Sequence, residues 1–328
     1  MRISGTGSFL PEDRLTNGDL ERLMETSDEW IVQRTGIRER RRARLREGET
    51  VTPLAARALS RALEAAGVRA SSLDLVICAT MTPEMDTPAS ACRIANLVGA
   101  GHAGAFDLNA ACSGFVFALT VAHDLIKCGS HARIGVVGAD TLTRAMDYSS
   151  AGRATAILFG DGAGAAILEA CDNPSLGVIA HAMHADGGAW ADIFIPRVPT
   201  DFPDDLPPDP ARCGVVQMNG SSVYKFAVST FPRLIENTLD KAGLSPDDID
   251  FYVCHQSNAR ILAAAQQRFN IPDSKFYINI DRYGNTVSAS VPICLDELTR
   301  AGRIRPGMRV MFLGFGAGLT WGSCLWQT

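Results

Sequence analysis

Apolar and polar positions follow two different periods along this chain. Short, nearly continuous apolar runs predict strands, in the first half "SLDLVICAT", "AGAFDLN", "RIGVVGAD" and "TAILFGDGAGAAIL", and in the second half "IDFYVCH", "KFYINI", "MRVMFLGFG" and "LTWGSCLWQ". Amphipathic spacing predicts helices that begin near Ser113, Ser221, Asn258 and Thr286. Strands without polar alternation indicate sheets covered on both faces, so the pattern predicts an α/β fold.

The chain also repeats itself. "ALEAAGVRASSLDLVICAT" and "TLDKAGLSPDDIDFYVCHQ" each combine an amphipathic helix, a glycine stop, a polar turn ending in Asp and an apolar strand. Positions that match at an offset of 176 residues are Gly67 and Gly243, Asp74 and Asp250, Cys78 and Cys254, and Gly138 and Gly314. We expect two similar halves, residues 1–172 and 173–328, packed as a layered α/β/α/β/α body with an active site between them.

One segment interrupts the repeat. Residues 186–214 are rich in Pro and Asp and have no hydrophobic period. The composition predicts a solvated surface loop, and a cap over a substrate channel is the alternative.

Composition excludes several classes of protein. The chain has 328 residues, 46% of them hydrophobic and 20% charged, with a net charge of −5, so no overall field attracts nucleic acid or an anionic membrane. No apolar run reaches membrane-spanning length, and the N-terminus lacks the apolar region of a signal peptide. Nine cysteines without a C-x-x-C pair predict reduced thiols and a cytoplasmic location.

The stretch "DLNAACSGFVFAL" places Cys112 where a helix begins. Helix N-terminal N–H groups stabilise a thiolate, so this position predicts a more acidic, nucleophilic cysteine. The small neighbours Ala110, Ala111 and Gly114 permit a tight turn between strand and helix. The alternative, a buried structural cysteine, is equally open for Cys112 at this point, and it suits the cysteines that lie within apolar runs, namely Cys78, Cys254, Cys294 and Cys324.

A nucleophilic cysteine needs partners, and two polar residues are candidates. His255 ends one predicted strand, and Asn285 lies at a turn near the repeat equivalent of Cys112, so a pseudo-twofold axis would bring all three together. Asn285 as a simple turn residue is the alternative. His181 and His184 are spaced for one helix face, but without a third ligand nearby we predict no metal site.

The glycine-rich and arginine-rich pieces carry weaker signals. "GDGAGA" and "GFGAG" do not fit a dinucleotide or phosphate loop, and close backbone approach or oxyanion binding explains them better. In residues 34–47 arginines alternate with glutamates, which predicts a solvated face, with local anion binding as the alternative.

The motifs "AACSGF", "HQSNARI", "YGNTVSAS" and "GFGAGLTWGS", in this order, resemble β-ketoacyl-acyl-carrier-protein synthase III of the thiolase-like superfamily. The resemblance extends to "TSDEWIVQRTGI" and "ATAILFGDGAGAAIL" and covers essentially the whole chain. It implies a thiolase-like duplicated fold and a homodimer. The implied reaction condenses an acyl-CoA primer with malonyl-acyl carrier protein, with loss of carbon dioxide, and initiates fatty acid synthesis without a metal or redox cofactor.

The same resemblance implies roles for individual residues. Cys112 would carry the acyl group, while His255 and Asn285 would donate hydrogen bonds to the thioester carbonyl of the extender. The backbone N–H groups of Cys112 and Ala317 would form the oxyanion hole, and Phe315 would shield the site. Here "FGAG" stands where the family usually has "FGGG", so Ala317 must tolerate the backbone conformation of a glycine.

Further residues are implied in substrate binding. Trp30 and Arg153 would sandwich the adenine of coenzyme A, Arg34 would lie near its phosphates, and Lys225 and Arg260 would meet the carrier protein.

Thr87 takes the place of a bulky aromatic that closes the acyl pocket of the partner subunit in several relatives. Its small side chain leads us to expect primers longer than acetyl, unless Leu142 or Met146 fills the space.

Three other functions fit parts of the pattern. A specialised condensing enzyme of secondary metabolism would use the same triad. A degenerate binding protein would hold acyl-CoA without turnover, which the presence of Cys112, His255 and Asn285 together disfavours. A biosynthetic thiolase would need a second cysteine in the "GFGAG" loop, where none exists.

Overall fold

A computed structural model describes residues 1–328 and contains two main sheets. The strands are β1 (Arg2–Phe9), β2 (Arg14–Thr16), β3 (Glu39–Arg41), β4 (Leu75–Ala79), β5 (Gly104–Leu108), β6 (Arg133–Thr141), β7 (Asp161–Glu169), β8 (Gly177–Ala185), β9 (Ile193–Phe194), β10 (Gln217–Met218), β11 (Phe251–Cys254), β12 (Arg309–Gly316) and β13 (Thr320–Gln327). One sheet has the order β1-β7-β6-β4-β5 and the other β11-β12-β13-β8.

Helices cover both sheets and separate them. They are α1 (Asn17–Glu21), α2 (Asp28–Thr35), α3 (Val51–Ala66), α4 (Ser90–Val98), α5 (Gly114–Lys127), α6 (Arg153–Ala156), α7 (Gly220–Ala242), α8 (Ala259–Arg268), α9 (Ile280–Tyr283) and α10 (Ser290–Arg300). α3 and α4 cover the first sheet, α7 and α8 cover the second, and α5 and α10 share one buried cluster with both sheets. This arrangement confirms the predicted α/β/α/β/α layering.

The middle layer explains why α5 is apolar on nearly every side. Phe115 and Leu119 are fully buried, because α5 packs between two sheets rather than against one. Three of the four predicted helices begin within one residue of the expected position. The fourth, α10, begins four residues after Thr286, because a short 3-10 turn precedes it.

Matched details relate the two halves, and their division at residue 172 stays a prediction. Asp74 accepts a hydrogen bond from the N–H of Arg133, and Asp250 accepts the equivalent bond from Arg309, each at 2.8 Å. The helices α3 and α7 both end at left-handed glycines, and 3-10 turns at Ala111–Ser113 and Val287–Ala289 precede α5 and α10.

Three predicted features are wrong in detail. "KFYINI" contributes only an isolated bridge at Phe276, because the side chain of Gln256 takes the hydrogen bonds of Tyr277 O and Asn279 N. "TAIL" forms part of α6 and the turn after it instead of a strand. His181 and His184 lie on β8, where residues three apart point to opposite faces, so they do not share a helix face.

The arginines of residues 34–47 are exposed or half-buried except at one position. Arg40 is fully buried, and its guanidinium donates to Leu15 O at 3.0 Å, Asn17 Oδ1 at 2.9 Å and Ile157 O at 2.7 Å. The prediction of a purely solvated face is therefore wrong for Arg40, which ties the N-terminal segment to the chain after α6.

None of the helices combines the length and apolarity that crossing a membrane requires.

Candidate functional site

Cys112 lies in the middle of the 3-10 turn that leads into α5. Ala111, just before it, has a φ of 45°, a left-handed conformation that makes the turn tight. Gly316 at the end of β12 lies so close that a Cβ there would come within 2.8 Å of the Cβ of Cys112. The absence of a side chain at residue 316 thus leaves the space that the thiol occupies.

The prediction of a more acidic thiol is wrong for the chain without substrate. Cys112 is 7% exposed, and burial raises the pKa of its thiol above the ordinary value. The charge of Asp140 raises this pKa further, while the backbone N–H of Cys112 lowers it. Desolvation outweighs the helix terminus, so the thiol is neutral at rest.

His255 follows β11 and is 1% exposed. Its Nδ1 lies 2.7 Å from the Oγ of Ser290, and its ring meets Phe315 edge-on with centroids 5.6 Å apart. Burial lowers the pKa of His255 from 6.5 to about 3, so the imidazole is neutral at physiological pH.

Asn285 is held through its backbone and its side-chain oxygen. Its N–H donates to Leu158 O at 2.8 Å, and its carbonyl accepts from the N–H of Gly160 at 2.9 Å. Its Oδ1 accepts from the N–H of Val287 at 2.9 Å. Because the oxygen is engaged, the side chain offers its N–H groups as donors.

A narrow cavity of about 110 Å³ brings the predicted chemical residues together. Its lining includes Cys112, His255, Asn285, Phe315 and Ala317. The lining contains no Asp, Glu, Lys or Arg, so the site is neutral and mostly apolar.

Ala317 occupies its position without a left-handed backbone, since it is not among the residues with positive φ. Its carbonyl accepts a hydrogen bond from Thr320 Oγ1 at 3.0 Å. The departure from "FGGG" is therefore accommodated, and the N–H of residue 317 remains available.

A second cavity of about 490 Å³, called the mouth below, adjoins the first and shares with it Leu158, Met218, Gly220, Tyr224 and Asn258. Trp30, Arg34, Lys225 and Arg260 line it, and no carboxylate does, so the mouth is cationic although the chain is acidic overall. Asn258 lines both cavities and was missed by the sequence analysis. Its place in "HQSNARI", at the start of a predicted helix, was the signal that could have found it.

Arg153 lies against Trp30 rather than across a gap from it. Its guanidinium is 4.6 Å from the centre of the indole, and that of Arg34 is 4.8 Å from the same ring. Arg153 also donates to Glu25 O at 2.6 Å. An aromatic ring enters between Trp30 and Arg153 only if this contact opens.

A small pocket of about 20 Å³ also borders Cys112. It is lined by Met81, Cys112, Leu142, Phe159, Ile193, Phe194, Ile195, Val216 and Ala317. The prediction of a solvated loop at 186–214 is therefore wrong at Ile193–Ile195, because β9 pairs with β10 and covers this pocket. The acidic part of the loop is largely exposed, as predicted.

Thr87 is exposed and lines neither cavity nor the small pocket of its own chain. It precedes α4, whose first N–H, from Ser90, donates to Asp107 on the edge strand β5 at 2.7 Å. Its predicted contact with an acyl group thus depends on a second subunit.

No group of three or more His, Cys, Asp or Glu side chains is arranged to hold a metal ion.

Sequence comparison gives one family. A family model described as "3-Oxoacyl-[acyl-carrier-protein (ACP)] synthase III" matches residues 106–187, and the model of its C-terminal part matches residues 239–328. The chain is 45% identical over 325 residues to a protein of Xylella fastidiosa (strain Temecula1) named "Beta-ketoacyl-[acyl-carrier-protein] synthase III". The alignment covers 99% of this chain and 97% of that protein.

Comparison with solved structures gives the same family. The synthase III of Thermus thermophilus superposes with a TM-score of 0.93 at 39% identity, covering 100% of this chain and 99% of that one. The priming β-ketosynthase of the R1128 polyketide pathway gives a TM-score of 0.90 at 34% identity, covering 99% and 96%. Whole-length similarity of this kind shows that the chain belongs to the β-ketoacyl-acyl-carrier-protein synthase III family, condensing acyltransferases with the thiolase-like fold.

Proposed function

We propose that this chain joins an acyl-CoA primer to malonyl-acyl carrier protein, with loss of carbon dioxide, to give 3-oxoacyl-acyl carrier protein and so initiate fatty acid synthesis. The observation that carries the proposal is the neutral cavity in which Cys112, His255 and Asn285 meet, reached through a cationic mouth. A thiol beside two neutral hydrogen-bonding side chains suits acyl transfer followed by enolate formation.

In the first half-reaction, Cys112 attacks the thioester carbon of acyl-CoA. A bond from Cys112 Sγ to the acyl carbon forms, the bond to the sulfur of coenzyme A breaks, and the thiol proton leaves with that sulfur. The N–H groups of Cys112 and Ala317 stabilise the oxyanion. Because the resting thiol is neutral, it loses its proton only during this exchange.

In the second half-reaction, His255 and Asn285 donate hydrogen bonds to the thioester oxygen of the malonyl group. The bond to the carboxylate breaks, carbon dioxide leaves, and the resulting enolate attacks the acyl group on Cys112, whose sulfur departs and takes up a proton from solvent. The imidazole donates through Nε2–H when Ser290 donates to Nδ1. No cation in the cavity holds the malonyl carboxylate, which favours its loss, with Phe315 excluding water. The balanced reaction calls for no metal or redox cofactor.

The mouth serves both substrates in turn. Trp30 and Arg153 stack on the adenine of acyl-CoA after their own contact opens, and Arg34 meets its phosphates. Lys225 and Arg260 bind the phosphopantetheine side of the acidic carrier protein. A local cationic patch is required because enzyme and carrier repel each other overall.

We further propose a homodimer formed through β5. This strand is the edge of its sheet, with one side unpaired, and Phe106 on it is 36% exposed. Pairing of two β5 edges would bring Thr87 of each subunit toward the other, since the loop that carries it is bonded to β5. Nine free thiols support a reducing, cytoplasmic location.

The test supplies purified protein with acetyl-CoA and then with malonyl-acyl carrier protein. We expect an acetyl adduct on the Cys112 peptide by mass spectrometry, and one carbon dioxide released for each 3-oxobutyryl-carrier protein formed. A protein that binds acetyl-CoA without forming the adduct would be a binding protein instead.

The similarity to the R1128 priming ketosynthase keeps secondary metabolism as a second candidate. A strong preference for a carrier protein of secondary metabolism over that of fatty acid synthesis, measured as kcat/KM, would favour it.

A further inference from the structure

A carboxylate without a cationic partner is buried beside the turn at residues 285–290, which carries Asn285. Asp140, at 0% exposure, lies on β6 and accepts five hydrogen bonds. One oxygen accepts from Thr80 Oγ1 at 3.2 Å, Met81 N at 2.9 Å and Thr82 Oγ1 at 2.9 Å. The other accepts from both the N–H and the hydroxyl of Ser288. Burial of an anion is costly, so five converging donors indicate a position that the fold defines closely.

The internal repeat shows what Asp140 replaces. At the offset of 176 residues, Ser288 is the equivalent of Cys112, and Asp140 is the equivalent of Gly316. Both Cys112 and Ser288 occupy the centre of a 3-10 turn before a middle-layer helix. In one half a glycine leaves room for a thiol, while in the other a carboxylate fills the equivalent space and binds the serine.

Ser288 belongs to the turn that orients both proposed donors. Val287, the residue before it, has a φ of 54° and donates its N–H to Asn285 Oδ1 at 2.9 Å. Ser290, two residues later, has its Oγ 2.7 Å from His255 Nδ1 and 3.0 Å from Val287 O, so its one proton can be donated to either of them. A displacement of Ser288 would therefore shift the supports of both donors.

We propose that Asp140 and Ser288 are positioning residues, which fix the turn at residues 285–290 so that Asn285 and His255 meet the malonyl thioester together. The inference rests on the proposed function. Burial raises the pKa of Asp140 while its hydrogen bonds lower it, which agrees with a group whose donors are needed to hold it. Small displacements of catalytic groups lower rates strongly. Loss of the hydrogen bonds between Asp140 and Ser288 should therefore slow decarboxylation, whereas Cys112 lies on the other turn and stays in place.

Two variants that remove one hydroxyl each from the same carboxylate test the proposal. Ser288→Ala removes the hydroxyl hydrogen bond from the turn at residues 285–290 and keeps the one from its backbone N–H, whereas Thr82→Val removes a hydroxyl hydrogen bond on the opposite oxygen. The readouts are carbon dioxide release from malonyl-acyl carrier protein, formation of acetyl-Cys112 from acetyl-CoA, and Tm. We expect Ser288→Ala to slow decarboxylation about tenfold or more with acylation within about twofold of wild type. We expect Thr82→Val to lower Tm by about as much as Ser288→Ala does, with neither decarboxylation nor acylation slowed.

Ser288→Cys retains a weaker donor at the same place and should give an intermediate decarboxylation rate, so it carries the test if the alanine variant does not fold. Equal losses of decarboxylation and acylation in the variants of both residues would make the carboxylate a structural element only and overturn the proposal. So would an unchanged decarboxylation rate in Ser288→Ala. Failure of the proposed function is distinguishable, because wild type itself would then release no carbon dioxide.

Discussion

The cavity around Cys112 and the mouth that leads to it differ in nearly every physical property. The cavity is narrow, about 110 Å³, and without charged side chains, whereas the mouth is about 490 Å³ and carries Arg34, Lys225 and Arg260. A low-dielectric site strengthens hydrogen bonds to a developing oxyanion, while an open cationic surface attracts anionic carriers without contacting the reacting carbon. Under the proposed function, the contrast separates the chemical step, in the cavity, from substrate recognition, in the mouth. Variants in the cavity should lower rate constants, and variants in the mouth should raise KM.

The largest effect is expected for Cys112→Ala, which removes the proposed nucleophile. Acyl transfer from acyl-CoA should fall to background, measured as covalent adduct by mass spectrometry. Cys78→Ala is the matched control, because Cys78 is also buried, lies on β4 and should leave acylation intact. An adduct that persists in Cys112→Ala and disappears in Cys78→Ala would reverse the assignment.

His255→Ala and Asn285→Ala should each slow decarboxylation of malonyl-acyl carrier protein by about 10²–10³, the usual loss for one oxyanion donor. Acylation of Cys112 should change little, because the donors serve the other carbonyl. Carbon dioxide release and adduct formation are measured separately on each variant. If both half-reactions decline together, these residues activate the thiol instead.

Lys225→Glu and Arg260→Glu test the mouth. Each should raise KM for malonyl-acyl carrier protein about tenfold at low salt, with kcat nearly unchanged, because the charges act before chemistry. Added salt should reduce the difference from wild type. A fall in kcat at constant KM would mean that these residues act on the chemical step, and the mouth would then not differ from the cavity in this respect.

The neutrality of the cavity predicts a pH profile. Because burial lowers the pKa of His255 to about 3, its imidazole stays uncharged as pH falls through the ordinary value of 6.5. Titration of His255 should therefore change the rate of decarboxylation at saturating substrate by less than about twofold between about pH 5.5 and 8. A drop of that rate with a midpoint near 6.5 would mean that the imidazole is not buried as described.

The last prediction concerns primer length. The small pocket beside Cys112 is about 20 Å³, room for about one methyl group, whereas Thr87 led us to expect longer primers. If the partner subunit deepens the pocket, each added methylene that fits should improve kcat/KM about fourfold, from about 0.8 kcal/mol, and Thr87→Phe should cancel the gain. Kinetics with acetyl-, butyryl- and octanoyl-CoA decide this, since a decline beyond acetyl that the substitution does not alter would remove Thr87 from the pocket.

The sequence predicts the fold well because the hydrophobic period and the internal repeat can both be read directly from the order of residues. The layers, the main strands of both sheets and the cavity residues Cys112, His255 and Asn285 follow from them. What it could not predict depends on tertiary surroundings. The pKa of Cys112 depends on desolvation, which sequence does not reveal. Arg40 looked solvated because its neighbours are charged, and Ile193–Ile195 looked like part of a loop because Pro and Asp dominate the flanking residues. Asp140 gave no signal, since its five donors come from two distant segments.

The contact between Arg153 and Trp30 has a consequence for turnover. An adenine that enters this stack must first displace the guanidinium, so the net gain on binding is a difference between two stacking interactions. Under the proposed function, spent coenzyme A is then displaced by a competitor that belongs to the enzyme itself. In the proposed ping-pong cycle, the extender enters through the mouth that coenzyme A has just left, so competition from Arg153 would speed this exchange and weaken inhibition by product.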